Sequence, residues 1–321
     1  MTSAGALLAA EIRRTGPIPF RRFMEVALYH PEHGYYRRGR DVFGKHGDYY
    51  TAVQIQPVYG ILIASLVEML AEESGLEDRF EVVDLGAGRG EMAPFLSRWP
   101  YRPVEAGDSM PGEICGLVFA NEFFDALPVD VALRRGARFH EMRVGLGREG
   151  FVWVEGPPVA PEQERYLRRH AGAAEDGSRV EVALEALRWM ERIARSLTRG
   201  WLLVIDYGYT ARELVRFPAG SLMSYRRHRA YEDVLTEPGE RDITAHVPFS
   251  ALEEQARRAG LEPVRLESLA SLLLRIGERD RFARALEATT EREAIRRRLQ
   301  LKSLLFDMGE SFRALLMRRG G

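Results

Sequence analysis

Lysine is nearly missing from this chain of 321 residues: Lys45 and Lys302 are the only two, so 44 of the 46 basic side chains are arginine. Arginine forks readily onto phosphate. Here, however, the arginines run through helical and loop stretches alike and are matched by 47 acids, for a formal charge of −1. A chain balanced in this way has no global field to collect nucleic acid or an anionic membrane, and the arginine bias reads as codon usage. Cysteine is scarcer still. Cys115 alone excludes an internal disulfide framework and a cysteine-based zinc cluster. No apolar run approaches the ~20 residues that span a bilayer. Met1 to Phe20 also lacks the basic start and unbroken apolar stretch of a signal peptide. These absences lead to the expectation of a soluble, cytoplasmic protein. At 45% hydrophobic and 29% charged, the composition is globular.

Residues 1–75 read as a helical region with a long loop. Ala4 to Arg14, Phe20 to Tyr29 and Pro57 to Glu73 have helical spacing, and Pro57 suits a first turn. Pro31 to Val53, rich in glycine, tyrosine and histidine, is too long for a passive connection. From Phe80 a different organisation begins. FEVVDL is a short apolar run ending in a glycine turn, and Glu91 to Arg98 reads as a helix: the opening unit of an open α/β sheet. Gly116 to Ala120 and Trp201 to Ile205 are further buried-type strands, ending in Asn121-Glu122 and Asp206-Tyr207. Val129 to Trp153 alternates as an antiparallel insertion, and Pro157 to Gly177 holds a short polar helix. Val180 to Leu197 reads as a helix leading into the Trp201 strand. A helix (Phe249 to Ala259), a strand (Glu262 to Leu266), charged helices and a closing FRALLM strand follow. The domain expectation is a helical and lid region over 1–75 and a core over 76–321, with 129–178 inserted.

The central chemical signal is Asp84-Leu85-Gly86-Ala87-Gly88-Arg89-Gly90. Glycines at alternating positions let the backbone turn tightly and approach a ligand with no Cβ in the way. A dinucleotide fingerprint needs glycine at 91, where this chain has Glu91, which disfavours a nicotinamide-dependent dehydrogenase. An alternating turn preceded by an acid fits a cofactor without pyrophosphate. Asp84 can organise the turn and accept from a ligand ammonium. Glu105 lies close to the ~20-residue spacing at which an acid takes ribose hydroxyls, with Asp108 in reserve. S-adenosylmethionine, with an adenosine, an amino acid end and no phosphate, matches best, and S-adenosylhomocysteine is then the product.

Several longer segments carry a resemblance: FMEVALYHPEHGYY (Phe23 to Tyr36), GDYYTA (Gly47 to Ala52), VVDLGAGRGEM (Val82 to Met92), ANEFFDALPV (Ala120 to Val129), VIDYGY (Val204 to Tyr209), PGERDITAHV (Pro238 to Val247) and MGESF (Met308 to Phe312). In this order they resemble the MidA-type S-adenosylmethionine-dependent methyltransferase family, which includes the mitochondrial complex I assembly protein arginine methyltransferase. The resemblance implies a class I methyltransferase, Rossmann-like α/β sheet with an N-terminal helical region and an antiparallel β and helical insertion. It also implies a protein arginine as methyl acceptor, a respiratory complex I subunit being one candidate partner. The chain departs from the family at Gln54 and Pro248. It departs again over Tyr101 to Gly116, where a helix and a strand are missing.

Within that frame Asp48 and Thr51, with Gly47, are expected to close over the cofactor as a lid. Asn121 is expected at the cofactor, with Glu122 facing the acceptor. Asp206 borders the same cleft, and Asp125 either joins it or caps the next turn. A guanidinium is a poor nucleophile because its lone pairs are delocalised and its pKa exceeds 12. Carboxylates along one side can draw positive charge away from the attacking nitrogen. Glu122 and Asp206, with Asp125 as a third, are therefore the catalytic candidates. His30, His33 and His46 read as loop packing, since transfer from a sulfonium needs no Lewis acid and no metal is expected. His246 is balanced between lining the channel and packing beneath it. The alternatives are a methyltransferase for small molecules or other N/O acceptors, and a non-catalytic assembly chaperone on the same scaffold. The chain is expected to be a monomer or a homodimer: the charged C-terminal helices, Glu278 to Arg298, read as a solvated face more often than as a dimer contact.

Overall fold

A computed structural model describes residues 1–37, 57–76 and 78–320. In chain order its elements are α1 (Ser3–Thr15), β1 (Ile18–Pro19), α2 (Phe20–Tyr29), α3 (Pro57–Ser74), β2 (Glu81–Leu85), β3 (Tyr101–Val104), β4 (Ile114–Asn121) and β5 (Asp130–Arg135). Then come β6 (Arg138–Leu146), β7 (Phe151–Pro158), α4 (Pro161–His170), β8 (Arg179–Val182), α5 (Leu184–Ser196), β9 (Leu197–Tyr209), β10 (Met223–Arg226), β11 (Arg229–Tyr231) and β12 (Asp242–Thr244). The last are β13 (Val247–Pro248), α6 (Phe249–Arg258), β14 (Glu262–Ser268), α7 (Leu269–Gly277), α8 (Ala283–Leu286), α9 (Glu291–Ser303) and β15 (Phe312–Arg319). The described residues form two compact units, each discontinuous in sequence: 1–37, 125–187 and 209–251 in one, and 57–76, 78–124, 188–208 and 252–320 in the other.

The first unit is antiparallel. Its larger sheet runs β1-β6-β5-β8 with β7 on β6, and its smaller one β11-β10-β12. Phe20 and Phe23 of α2 pack on Trp153 and Phe151 of β7, with ring centroids 4.9 and 5.3 Å apart. Such aromatic pairs anchor a helix to a sheet more firmly than area alone. Arginines here meet acids: Arg22 pairs with Glu11, and Arg226 and Arg241 both pair with Glu237. One expectation is corrected. Residues 179–182 do not open a helix but form β8, paired antiparallel with β5 (Val131 opposite Glu181), and the helix starts at Leu184. The β-branched Val180 and Val182 alternate with polar neighbours, and a long-range partner strand decided their state.

The second unit is built on one sheet in the order β14-β15-β9-β4-β2-β3. Strands β3, β2, β4 and β9 are parallel, and β15 runs antiparallel between β9 and β14. Helix α3 buries Val58, Leu62, Ile63, Leu66, Val67 and Leu70 in the core of this unit. Each such side chain contributes about 2 kcal/mol. The Trp201 indole of β9 donates to the Leu70 carbonyl (3.0 Å), satisfying the one polar atom of a buried ring. The chain passes from β2 outward to β3, then back past β2 to β4. That reversal makes a topological switch point at the carboxyl end of β2, where α/β sheets bind ligands.

Two features of this unit bear on the site. Residues 105–113, between β3 and β4, contain neither helix nor strand, so β3 is the sheet edge. Pro103 sits on that edge, where its missing N–H costs no ladder bond. The helix expected over Glu91 to Arg98 is absent. Instead the backbone makes successive short-range turns, Gly90 N–H to Ala87, Ala93 to Gly90, Phe95 to Met92 and Trp99 to Leu96. Pro94 explains the difference: it lacks the N–H that would bond Gly90, and it disfavours helical geometry at Ala93.

Candidate functional site

The aligned carboxyl ends of the parallel strands gather the polar residues. Leu85 stands opposite both Val104 and Ala120, and Asn121 opposite Ile205. The next residues along each strand are Gly86, Glu105, Glu122 and Asp206. The turn after β2 places Gly86, Gly88 and Gly90 at φ of 69°, 56° and 73°. L-residues other than glycine seldom adopt this left-handed region, so the alternating glycines are conformationally required. The Gly86 N–H donates to Val104 O (2.8 Å) and the Gly88 N–H to Glu105 Oε1 (3.0 Å), which locks the turn onto the end of β3. Asp108 accepts from the Glu105 N–H (2.9 Å). It therefore shapes the turn that carries Glu105.

Asp84, 4% exposed, lies just before this turn and accepts a short hydrogen bond from the Tyr101 hydroxyl. Burial pushes its carboxyl up to about 7, with Glu105 and Glu91 adding repulsion and the Tyr101 bond opposing both. Such a group is poised to ionise on meeting a cation. An ideal Cβ on Gly86 would come within 2.9 Å of the Phe123 ring, which also packs edge-on against Trp189 at 4.9 Å. Phe123 is thus the apolar floor that brings the end of β4 under the glycine turn.

At the end of β4, Glu122 adopts φ 52°, a strained value for a residue with a side chain. Its N–H donates to Ile205 O (2.9 Å), and its Oε1 accepts from Asn121 Nδ2 (3.2 Å). Asn121 Oδ1 in turn accepts from the Tyr59 hydroxyl (2.5 Å) of α3. Asp206 is fully buried. Its Oδ2 accepts from the Phe124 N–H (3.0 Å) and its Oδ1 from the Tyr207 N–H (2.9 Å). Asp206 thereby ties the Asn121–Phe124 turn to β9. Sequence reasoning missed Tyr59, whose signal was a hydroxyl among apolar neighbours, and Tyr101, which stands beside Arg102 with no such signal.

Asp84, Gly86, Ala87, Gly88, Gly90, Glu105, Asn121, Glu122 and Asp206 all lie in the second unit. Asp125 belongs to the first, where its buried position is fixed by the Ala245 N–H donating to its carbonyl (2.9 Å). His246, in the same unit, packs edge-on against Phe217, and its buried Nδ1 has no hydrogen-bond partner among the described residues. Gly47, Asp48 and Thr51, expected as a lid, lie outside the described residues.

The donor set fits S-adenosylmethionine. A buried, ionisable acid suits an ammonium, a strand-end acid suits ribose hydroxyls, and the glycine backbone leaves room for the atoms between them.

Known proteins agree. Residues 95–266 match the model of a family described as S-adenosyl-L-methionine-dependent methyltransferase. A Drosophila melanogaster protein named "Protein arginine methyltransferase NDUFAF7 homolog, mitochondrial" is 28% identical, over 79% of this chain and 70% of its own length. Its Homo sapiens counterpart is 27% identical, over 95% of this chain and 81% of its own. A crystal structure of a superfamily member from Burkholderia thailandensis, bound to S-adenosyl-homocysteine, superposes with a TM-score of 0.88 at 28% identity, covering 99% of this chain and 92% of that one. The cytoplasmic expectation is corrected by the Drosophila melanogaster and Homo sapiens relatives, whose names designate mitochondrial proteins. It rested on the single cysteine, the balanced charge, the lack of a long apolar run and the lack of a secretory signal, and these features do not tell one intracellular compartment from another. The glycine turn, the strand-end acids and the family match converge on one identity: the chain belongs to this family of S-adenosylmethionine-dependent methyltransferases.

Proposed function

We propose that the chain methylates a guanidino nitrogen of an arginine in a protein partner. The observation that carries this reading is Glu122, a partly exposed carboxylate held in a strained backbone conformation directly beyond Asn121, beside the glycine turn. Strain of this kind persists where a side chain must be aimed. Relatives named as protein arginine methyltransferases supply the acceptor class. The resemblance nominates a respiratory complex I subunit as the partner.

When bound, S-adenosylmethionine supplies an electrophilic methyl on its sulfonium. Asp84 would hold the ammonium of that group, Glu105 the ribose hydroxyls, and Gly86, Ala87, Gly88 and Gly90 the approach of backbone to ligand, with Asn121 alongside. Glu122 accepts N–H bonds from one edge of the guanidinium. That draws positive charge toward the carboxylate and leaves the opposite nitrogen richer in electrons. Fixing this nitrogen in line with the methyl supplies most of the remaining advantage. Asp206, with both oxygens engaged by backbone, acts through its field and by shaping the turn, and Asp125 is the third acid in this reading.

The test is amino acid analysis of labelled product. Incubation with methyl-tritiated S-adenosylmethionine and a protein extract, followed by hydrolysis, is expected to put the label in methylarginine. Label in another amino acid, or only in small molecules, overturns the proposal.

A further inference from the structure

The Tyr59 hydroxyl is fully buried on α3, and its only hydrogen-bonding neighbour among the described contacts is Asn121 Oδ1 at 2.5 Å. An Asn amide has two nearly isosteric orientations, and which one holds is decided by its partners. Here a donor on the oxygen side leaves the Nδ2 side facing Glu122 Oε1, 3.2 Å away. We propose that Tyr59 is a positioning residue for the reaction, setting the Asn121 amide so that its N–H holds the Glu122 carboxylate toward the acceptor. The inference rests on the role given to Glu122 above.

Three observations support it. First, the reversed amide would turn Oδ1 onto the Glu122 carboxylate, two acceptors face to face, whereas the observed one pairs Oδ1 with the Tyr59 hydroxyl and Nδ2 with Glu122. One favourable orientation is thereby selected. Second, burial together with the nearby Glu122, Asp84 and Asp206 carboxylates drives the phenol well above its ordinary range, so it remains a donor at every physiological pH. Third, the Glu122 backbone is fixed separately, through its N–H to Ile205 O and its left-handed φ. The Asn121 amide bears instead on the side chain, through its Nδ2 bond to Glu122 Oε1.

The experiment pairs nuclear magnetic resonance with turnover. In the unaltered protein, the Asn121 side-chain amide protons are expected to exchange with solvent at least about tenfold more slowly than a free amide, and Tyr59→Phe to erase that protection. Phenylalanine keeps the buried ring, so the fold has little reason to fail. Free-amide exchange in the unaltered protein overturns the proposal without recourse to any variant. In the tritium assay Tyr59→Phe is expected to lower kcat about tenfold while leaving the acceptor KM and the affinity for S-adenosylhomocysteine within about twofold. In an Asn121→Ala background the same change is expected to do nothing further. A purely structural tyrosine would give multiplied losses instead, and that result, or full turnover by Tyr59→Phe, also overturns the proposal. Failure of the underlying reading looks different: no label transferred by the unaltered protein, or undiminished transfer by Glu122→Gln.

Discussion

Two neighbouring strand ends each carry an acid served by a tyrosine from another element, Tyr101 of β3 and Tyr59 of α3, and the two tyrosines act differently. At β2, Tyr101 donates directly to Asp84, and burial leaves that carboxyl near neutrality until a cation arrives. At β4, Tyr59 is linked to Glu122 by hydrogen bonds through the Asn121 amide, and the Glu122 backbone is held in a conformation that few side chains accept. The first arrangement suits a group that must trade its proton for a bound ammonium. The second suits a group that must be aimed. Asp206, a third acid next to Glu122, shows what neither of these is. With no exposure and a backbone N–H on each oxygen, it is part of the framework.

The sharpest way to break this contrast is to neutralise the aimed acid. Glu122→Gln is expected to reduce label transfer about 10²–10³-fold, with the unfolding midpoint unchanged, because it removes charge from the reacting edge and little else. Asp206→Asn should do the reverse. One carboxamide nitrogen must face a buried backbone N–H, so a denaturant titration is expected to show a loss of about 1–3 kcal/mol. Equal stability in the two variants would erase the distinction between aimed and framework acid.

The neutrality of Asp84 is tested by pH. Its carboxyl titrates at about 7, so below that pH it carries a proton that an ammonium must displace. Affinity for S-adenosylhomocysteine is expected to fall about tenfold for each unit below pH 7 and to level off above it, with Asp84→Asn flat throughout. The same displacement acts on the unliganded protein. The native state binds the proton more tightly than the unfolded chain, whose carboxyl titrates near 4, so stability declines as pH rises between about 4 and 7. The smallest effect belongs to the turn. Gly86→Ala, at φ 69° and with a Cβ 2.9 Å from the Phe123 ring, should cost about 1 kcal/mol and be read by thermal unfolding.

Much of the fold was legible because the signals were local. Pro57 opened α3 as expected, and the β2 strand with its alternating glycines was evident from hydrophobicity and turn chemistry alone. What was not legible depended on distant partners. Residues 179–182 became a strand because β5 lay beside them. Residues 91–98 failed as a helix for a reason that was present in the sequence, Pro94, but outweighed by the strand, glycine turn and helix order of an open α/β sheet. At the site, the acids could be named from strand ends. Their division of labour could not, since it follows from hydroxyls and amides delivered by other elements: Tyr59 from α3, Tyr101 from β3 and the Phe124 N–H that Asp206 binds.

Titration calorimetry with S-adenosylhomocysteine on two variants decides between these roles most directly. Asp84→Asn is expected to lose binding heat at pH 8 while Glu122→Gln keeps an affinity within about twofold of the unaltered protein. Full binding by Asp84→Asn together with loss in Glu122→Gln would reverse the assignment of the two strand ends and contradict the account.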